Sequence, residues 1–261
     1  MLAVIEPIWR TKANMAHKVR SRIETVLDWA RARGYRQGDN PARWRGHLKT
    51  LLPKAGLVSH HHPAMGVDEV PGFVARLRQK QAIAARALEF LILTAARSVE
   101  VTGMLWDEVD LRNQVWTIPG LRMKSGREHR VPLNDRAMAI LGGLKHLPDN
   151  PHVFPGVKQG NGLGPRALLA ALERMQDGVT VHGFRSSFRT WAAERTNYPR
   201  EICEVALAHT VGDETERAYQ RGDLLDKRRR LMDRHSAGQS HGARAATSCH
   251  CVELRDDGLP R

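Results

Sequence analysis

The sequence predicts a mainly α-helical protein with one small antiparallel sheet, an α+β architecture. Apolar residues recur at helical spacing over most of the chain, and only three short stretches look like strands. Two of these stretches flank a Lys-Ser-Gly sequence that is typical of a hairpin turn. Because helices dominate and the strands follow one another directly, the sheet is expected to be small and antiparallel.

The N-terminal part predicts a short helical region. Residues 14–33 form an amphipathic pattern, and a second helical stretch, residues 42–52, ends at Pro53. The predicted buried stripe of the first helix consists of Ile23, Val26, Leu27 and Trp29. We therefore interpret residues 1–55 as a partial helical domain and residues 56–67, which lack periodicity, as a linker.

The rest of the chain predicts one larger domain, residues 68–235, and a disordered tail, residues 236–261, rich in Ser, Gly, His and Arg. The larger domain begins with a long helical pattern from Gly72 to about Ala96. The predicted strands are Val109–Leu111, Val115–Ile118 and His129–Leu133, and the predicted later helices are 134–146, 164–176, 183–195, 199–208, 213–220 and 223–234.

Composition indicates a polyanionic partner. The 261 residues carry a net charge of +13, and 41% of them are hydrophobic, enough for a real core. Lysines and arginines that displace counterions from phosphates give affinity without sequence preference. A merely basic soluble protein fits the charge equally well, so charge alone does not decide.

The sequence predicts a protein of the reducing cytoplasm that does not span a membrane. No run of 18 apolar residues exists, and the charges at the N-terminus follow the apolar stretch, the wrong order for a signal peptide. Three cysteines, two of them in the polar tail, imply no disulfide framework. No metal or other cofactor is expected, because the two His- and Cys-rich triplets, 60–62 and 249–251, lie in segments predicted to be mobile.

Two pairs of residues at i, i+3 spacing contain candidate phosphate ligands. Arg97 follows a long apolar helix and can present a planar fork to phosphate, and Glu100 can face it on the next turn and hold the local fold. His182 and Arg185 lie near the start of a predicted helix, whose end carries unpaired N–H groups and partial positive charge. Taken singly, the first pair fits an ordinary surface ion pair and the second fits a basic solvated face, to which Arg189 would belong.

Three further residues could take part in proton transfer or covalent catalysis. Lys124 lies in the predicted hairpin turn, although hairpin tips are often basic for solubility alone. Its neighbours Arg122, Arg127 and Arg130 are rivals for the same role. His209 ends an apolar helix, where the helix dipole favours a histidine. Tyr219 falls on the second turn of a short helix and also fits a packing tyrosine. The other tyrosines, Tyr35 and Tyr198, adjoin Gly and Pro in turn-like segments.

The order Arg, Lys, His-x-x-Arg, His, Tyr joins these residues into one pattern. The segments that carry it are TAARSVEVTGMLW, MKSGREHRVPL, VHGFRSSFRTWAAE and ALAHTVGDETERAY. Together they resemble the tyrosine recombinase (phage-type integrase) family over roughly residues 15–235. The resemblance implies that 68–235 is a catalytic domain and 1–55 part of a core-binding domain. It implies six catalytic residues: Arg97, Lys124, His182, Arg185, His209 and Tyr219.

The resemblance also implies a mechanism. Tyr219 would attack the scissile phosphate of double-stranded DNA and form a 3′-phosphotyrosyl link, while Arg97 and Arg185 stabilise the transition state. Lys124 would protonate the leaving 5′-hydroxyl, His182 would assist proton transfer and His209 would bond a phosphate oxygen. The covalent link conserves the phosphodiester energy, so no ATP is needed. Positively charged side chains would do the work of a metal, so no metal is needed either.

Members of this family act as tetramers on paired DNA sites, so a homotetramer is expected. Residues 1–55 hold about half the helices of a family core-binding domain, so we expect an N-terminally shortened chain with an intact site and a weakened grip on DNA. The alternatives are a DNA-binding remnant without catalysis and a type IB topoisomerase. An RNA-binding role lacks a stacking platform, because aromatic residues make up only 5% of the chain.

Overall fold

In the computed structural model, residues 1–53, 63–209 and 222–247 are described. The chain divides into two compact units, an N-terminal unit of Met1–His61 and a C-terminal unit of His62–Arg261.

The N-terminal unit packs two helices and an irregular helical turn around tryptophan and aliphatic side chains. Helix α1 spans Leu2–Trp9, α2 spans Ala13–Ala32, and a turn at Trp44–Leu48 leads into the single turn α3, Lys49–Leu51. The buried hydrophobic cluster at its centre consists of Ile5, Trp9, Ala16, Leu48 and Leu52. Sequence patterning missed α1, because Pro7 lies inside it and an internal proline argues against a helix.

The predicted buried stripe of α2 is only half right. Ile23 and Leu27 are half-buried, but the side chains of Val26 and Trp29 are 62% and 55% exposed. The buried positions include Arg20, which pairs with Glu24 on the same helix. Periodicity defines a stripe, but the position of neighbouring elements decides which part of it is covered.

Two helices replace the single long helix predicted from Gly72 to Ala96. Helix α4 spans Val70–Arg78 and α5 spans Ile83–Thr94, and Ala82 between them has an extended backbone. The intervening residues 79–81 are polar and lie at the surface. Helix α5 is buried along almost its whole length and forms the centre of the larger core.

The sheet is the one that the sequence predicts. A five-residue helix, α6 (Ser98–Thr102), precedes strands β1 (Val109–Asp110), β2 (Val115–Ile118) and β3 (His129–Pro132). The three strands are antiparallel in the order β1-β2-β3, and Ile118 lies opposite His129. The α+β fold class, mostly helices with a small antiparallel sheet, is confirmed.

Five further helices complete the described part of the C-terminal unit: α7 (Asp135–Gly142), α8 (Ala167–Glu173), α9 (Gly183–Arg195), α10 (Arg200–Ala206) and α11 (Leu225–Thr247). The predicted bounds of α9 are correct. Those of α7, α8 and α10 are each too long by between one and four residues at either end. The predicted helix at 213–220 lies outside the described residues.

The expectation of a disordered tail from residue 236 is wrong up to residue 247, where α11 ends. This helix packs against α4, α5, α10 and β3, and it buries Ser236 and Gln239 although both are polar. His235 is buried as well, with Nε2 3.1 Å from the carbonyl oxygen of Ile92. A helix that buries polar residues does not have the apolar stripe by which sequence patterning detects helices.

Candidate functional site

Arg97 is fixed at the start of α6 by the residue with which the sequence pairs it. The Glu100 carboxylate accepts from the backbone N–H of Arg97 at 2.8 Å and from its Nη1 at 2.7 Å. Glu100 is nearly buried, with 3% of its side chain exposed, whereas the Arg97 side chain is 22% exposed. The predicted pair therefore exists, and it orients a partly accessible guanidinium.

The carbonyl ends of two helices bring Arg185 next to Arg97. Arg185, on the first turn of α9, donates to the carbonyl oxygen of Ala95, which follows α5. It also donates to Leu207 at the end of α10, with 2.5 Å between Nη2 and the oxygen. Nη2 of Arg97 lies 3.4 Å from the same Leu207 oxygen and 3.2 Å from that of Ala208. The last carbonyls of a helix lack partners within it and carry partial negative charge, so they suit guanidinium groups.

The two neighbouring guanidiniums repel each other. Burial first, and then the positive charge of Arg97, lower the pKa of Arg185 to about 10, although Glu100 and Glu204 oppose this. Nε of Arg185 is buried and has no hydrogen-bond partner among the residues that the structure describes. An anion placed between the two guanidiniums would relieve their mutual repulsion.

His209 joins this pair. Its Nε2 lies 3.2 Å from Nη2 of Arg185, and its Nδ1 lies 2.7 Å from Oε2 of Glu204. Ala208 makes this possible with a φ of 50°, because a left-handed residue reverses the chain after α10. Arg97, Arg185 and His209 thus come together from three separate segments.

Glu204 is a site residue that the sequence did not reveal. It also accepts from Nε of Arg189 at 2.7 Å, so Arg189 is part of an ion pair and not of a solvated basic face. Burial disfavours the charged carboxylate, but hydrogen bonds from His209 and Arg189 outweigh it, and the pKa of Glu204 lies below its ordinary value. Glu204 and His209 are five residues apart, a spacing that does not pair on a helix.

His182 lies at the N-terminus of α9, one turn before Arg185. The backbone N–H of Arg185 donates to its carbonyl oxygen at 3.1 Å. His182 is exposed and Arg185 is buried. The helix begins at Gly183, where a Cβ would come within 2.2 Å of the Pro63 carbonyl oxygen, so only glycine allows this approach. That the His182 side chain serves the same site as Arg185 stays a prediction.

Lys124 is exposed in the connection between β2 and β3, residues 119–128, called here the Lys124 loop. The base of the loop is tightly closed, because a Cβ on Gly120 would lie 2.5 Å from the Gly126 carbonyl oxygen. Met123 is buried beneath it, with 6% exposed. The predicted hairpin is therefore present, and its exposed tip carries Lys124.

His129 is a second residue near the site that sequence reasoning did not single out. It begins β3, opposite Ile118. Burial, followed by the charge of Arg228, lowers its pKa to about 4, and Arg97 and Arg185 act in the same direction. The imidazole is thus neutral at pH 7. Its only signal in the sequence is a histidine at the start of a predicted strand.

Tyr219 lies outside the described residues, together with the helix predicted at 213–220 that would carry it. Of the other tyrosines, Tyr198 packs against the cluster formed by α9, α10 and α11. Tyr35 belongs to the N-terminal unit and is 76% exposed.

Within the described residues, no helix is long and apolar enough to cross a membrane. In the same residues, no group of three His, Cys, Asp or Glu side chains is arranged to hold a metal ion.

Comparison with known proteins gives two family matches. The description "Phage integrase central domain" matches residues 1–47, and "Phage integrase family" matches residues 64–224. Among curated proteins, Prophage integrase IntA of Escherichia coli (strain K12) is 36% identical over 65% of this chain and 42% of its own length. The Integrase of Enterobacteria phage P4 is 27% identical over 85% of this chain and 54% of its own length. The chain thus spans about half the length of these relatives.

Solved structures share the fold. A lambda integrase tetramer bound to a Holliday junction matches 81% of this chain and 63% of its own with a TM-score of 0.58 and 17% identity. The integrase of the Tn1549 transposon, in complex with circular intermediate DNA, matches 80% of this chain and 79% of its own with a TM-score of 0.52 and 12% identity.

Proposed function

We propose that this chain, which belongs to the phage integrase family, cuts and rejoins double-stranded DNA at specific sites through a phosphotyrosyl intermediate. The observation that carries the proposal is the convergence of Arg97, Arg185 and His209 at the carbonyl ends of α5 and α10. These groups are the donors that a phosphodiester requires when negative charge accumulates on its non-bridging oxygens.

The two arginines take the role of an oxyanion clamp. A guanidinium presents several N–H groups in a planar fork that fits phosphate oxygens. Here the forks are oriented in advance, Arg97 by Glu100 and Arg185 by the carbonyls of Ala95 and Leu207. Preorganised donors stabilise a transition state strongly because they need not reorient as charge develops.

The reaction that we propose is a transesterification. The phenolic oxygen of Tyr219 forms a bond to the scissile phosphorus, and the bond from phosphorus to the 5′-oxygen breaks. Lys124 delivers a proton to that departing oxygen from its exposed loop, and His182 takes part in removing the proton of the phenol. His209 donates to a phosphate oxygen. Attack of a 5′-hydroxyl on the phosphotyrosine reverses these steps and rejoins the strand.

DNA and further copies of the chain are the proposed partners. The net charge of +13 suits a polyanion, and binding should weaken as salt rises. Strand exchange needs several active sites on paired DNA sites, so we propose a homotetramer. The lambda integrase that shares this fold is a tetramer on a Holliday junction, which supports that assembly.

Covalent trapping on a nicked DNA substrate tests the proposal. DNA flanking the gene's own locus supplies the candidate sites, and the nick lets the 5′-fragment diffuse away so that the adduct accumulates. We expect the wild type to form a protein–DNA adduct that resists denaturation. Tyr219→Phe should form none, whereas Tyr198→Phe, which changes a tyrosine packed in the core, should behave like the wild type.

If no covalent adduct forms, a gel shift on the same DNA shows whether the protein still binds it. Binding without an adduct would contradict the catalytic proposal and favour a DNA-binding remnant. Relaxation of supercoiled plasmid by the monomer, without recombination between sites, would contradict the proposal in a different way and indicate a topoisomerase.

A further inference from the structure

A chain of hydrogen bonds leads from Arg189 on α9 to Nδ1 of His209, whose other ring nitrogen, Nε2, faces Arg185. Arg189 donates to Oε1 of Glu204 at 2.7 Å, and Oε2 of Glu204 lies 2.7 Å from Nδ1 of His209. The Glu204 side chain is 18% exposed, so these contacts are partly shielded from water. The reaction proposed above uses neither Glu204 nor Arg189.

The backbone explains how Glu204 reaches a residue five positions ahead. Helix α10 ends at Ala206, and Ala208 adopts a left-handed conformation with a φ of 50°. The backbone N–H of His209 then bonds back to the carbonyl oxygen of Glu204 at 2.9 Å. This closure places the imidazole over the carboxylate of the preceding turn, so the contact is built into the fold.

The contact determines which nitrogen of His209 carries the proton. Glu204 is an acceptor only, because its pKa lies below the ordinary value. Nδ1 must therefore donate, and in the neutral ring Nε2 is left as an acceptor. Nε2 lies 3.2 Å from Nη2 of Arg185, which has only N–H groups to offer, so this tautomer satisfies both neighbours.

We propose that Glu204 is a positioning residue that fixes the orientation and the tautomer of His209, and that Arg189 fixes Glu204 in turn. The proposal rests on the proposed function, in which His209 donates to a phosphate oxygen. When a phosphate enters and Nε2 takes up a proton from the solvent, the carboxylate on the opposite nitrogen stabilises the positive charge of the ring. Glu204 thus prepares His209 to change from an acceptor of Arg185 into a donor to phosphate.

Glu204→Gln gives a sharp test, because it preserves size but reverses one hydrogen bond. Nε of Arg189 requires an oxygen, so the amide oxygen of the new side chain should face Arg189. Its NH₂ group then faces Nδ1 of His209 and forces the proton onto Nε2. The matched control is Glu201→Gln, which removes the same charge from an exposed position on α10.

The first readout is the nitrogen spectrum of His209 in the full chain without DNA. Nitrogen shifts distinguish a protonated from an unprotonated ring nitrogen, and a His209→Asn spectrum identifies the signal among 13 histidines. In the neutral ring, reached by raising the pH until the nitrogen shifts stop changing, we expect the proton on Nδ1 in the wild type and in Glu201→Gln. We expect it on Nε2 in Glu204→Gln. A wild type with the proton on Nε2, or a tautomer unchanged in Glu204→Gln, would overturn the proposal.

The second readout is the rate of adduct formation on the nicked DNA. Removing a carboxylate that orients a functional histidine should lower this rate on the order of 10–100-fold, and Glu201→Gln should not change it. A tautomer that switches without any change in rate would also overturn the proposal, because the positioning would have no consequence. A wild type that forms no adduct would contradict the proposed function, while the nitrogen spectrum would still decide whether Glu204 sets the tautomer.

Discussion

Arg122 and Glu100 connect the Lys124 loop to the helix that begins at Arg97. Nη2 of Arg122 donates to the carbonyl oxygen of Glu100 at 2.6 Å. The same guanidinium forms an ion pair with Glu108, whose side chain is 5% exposed and also accepts from the indole of Trp116. Two segments that carry proposed catalytic residues are therefore attached through a single side chain.

Replacing Arg122 should destabilise the protein and loosen this attachment. In Arg122→Met, Glu108 loses its ionic partner while it remains buried, which should lower the free energy of unfolding by about 1–3 kcal/mol. Urea denaturation measures the change. Arg127→Met is the control, because it removes an exposed arginine from the same loop and should change stability by less than about 0.5 kcal/mol. If both variants lose the same free energy of unfolding, the ion pair between Arg122 and Glu108 does not stabilise the protein.

Glycine should be better than alanine at position 208. Ala208 has a φ of 50°, a conformation that costs free energy for any residue with a Cβ. Ala208→Gly should therefore raise the free energy of unfolding by about 0.5–1 kcal/mol. Ala193→Gly, at an exposed position in the last turn of α9, should lower it by up to about 1 kcal/mol. Thermal unfolding of both variants checks the opposite signs, and a loss of stability in both would contradict the prediction.

Stability should decrease in mild acid because of His235. Complete burial lowers its pKa to about 3, far below the ordinary value. As pH falls, His235 is protonated in the unfolded chain before it is protonated in the folded one. The contribution of His235 to the free energy of unfolding is therefore fully present above about pH 6.5 and decreases as pH falls toward the folded pKa. Between about pH 6.5 and pH 5 the loss should be about 1–2 kcal/mol.

Denaturation curves at several pH values test this loss. His235→Gln keeps a donor for the carbonyl of Ile92 but does not titrate, so its stability should depend less on pH. His129, whose pKa is lowered to about 4, contributes in the same direction and is present in both proteins. His146→Gln, at an exposed position, should keep the slope of the wild type. If the stability of His235→Gln falls with pH as steeply as that of the wild type, the loss in mild acid is not caused by His235.

The fold was predictable where apolar periodicity and local signals agree. The bounds of α9 and β2 were correct because each is a clear pattern with distinct ends. Helix α11 was underestimated, because it buries His235, Ser236 and Gln239, residues that sequence patterning assigns to the surface. Such burial depends on acceptors and rings supplied by distant segments, such as the Ile92 carbonyl and the Phe188 ring.

The site was predictable where its residues are close in sequence. The pairing of Arg97 with Glu100 follows from i, i+3 spacing, and the structure contains it. The carbonyl acceptors of Arg185 could not be predicted, because backbone groups have no signature in the sequence. Glu204 could not be predicted either, since its contact with His209 depends on the left-handed conformation of Ala208. An alanine gives no indication in the sequence that its backbone is left-handed.

The helix-end carbonyls that hold Arg97 and Arg185 have one more consequence. The rotamer entropy of an arginine side chain amounts to about 2 kcal/mol, and here it is lost when the chain folds, before any anion arrives. An incoming anion then meets two guanidiniums that are already held in place and does not have to immobilise two flexible cations. Because the donors are already in position, discrimination between anions at this site should depend on shape more than on charge.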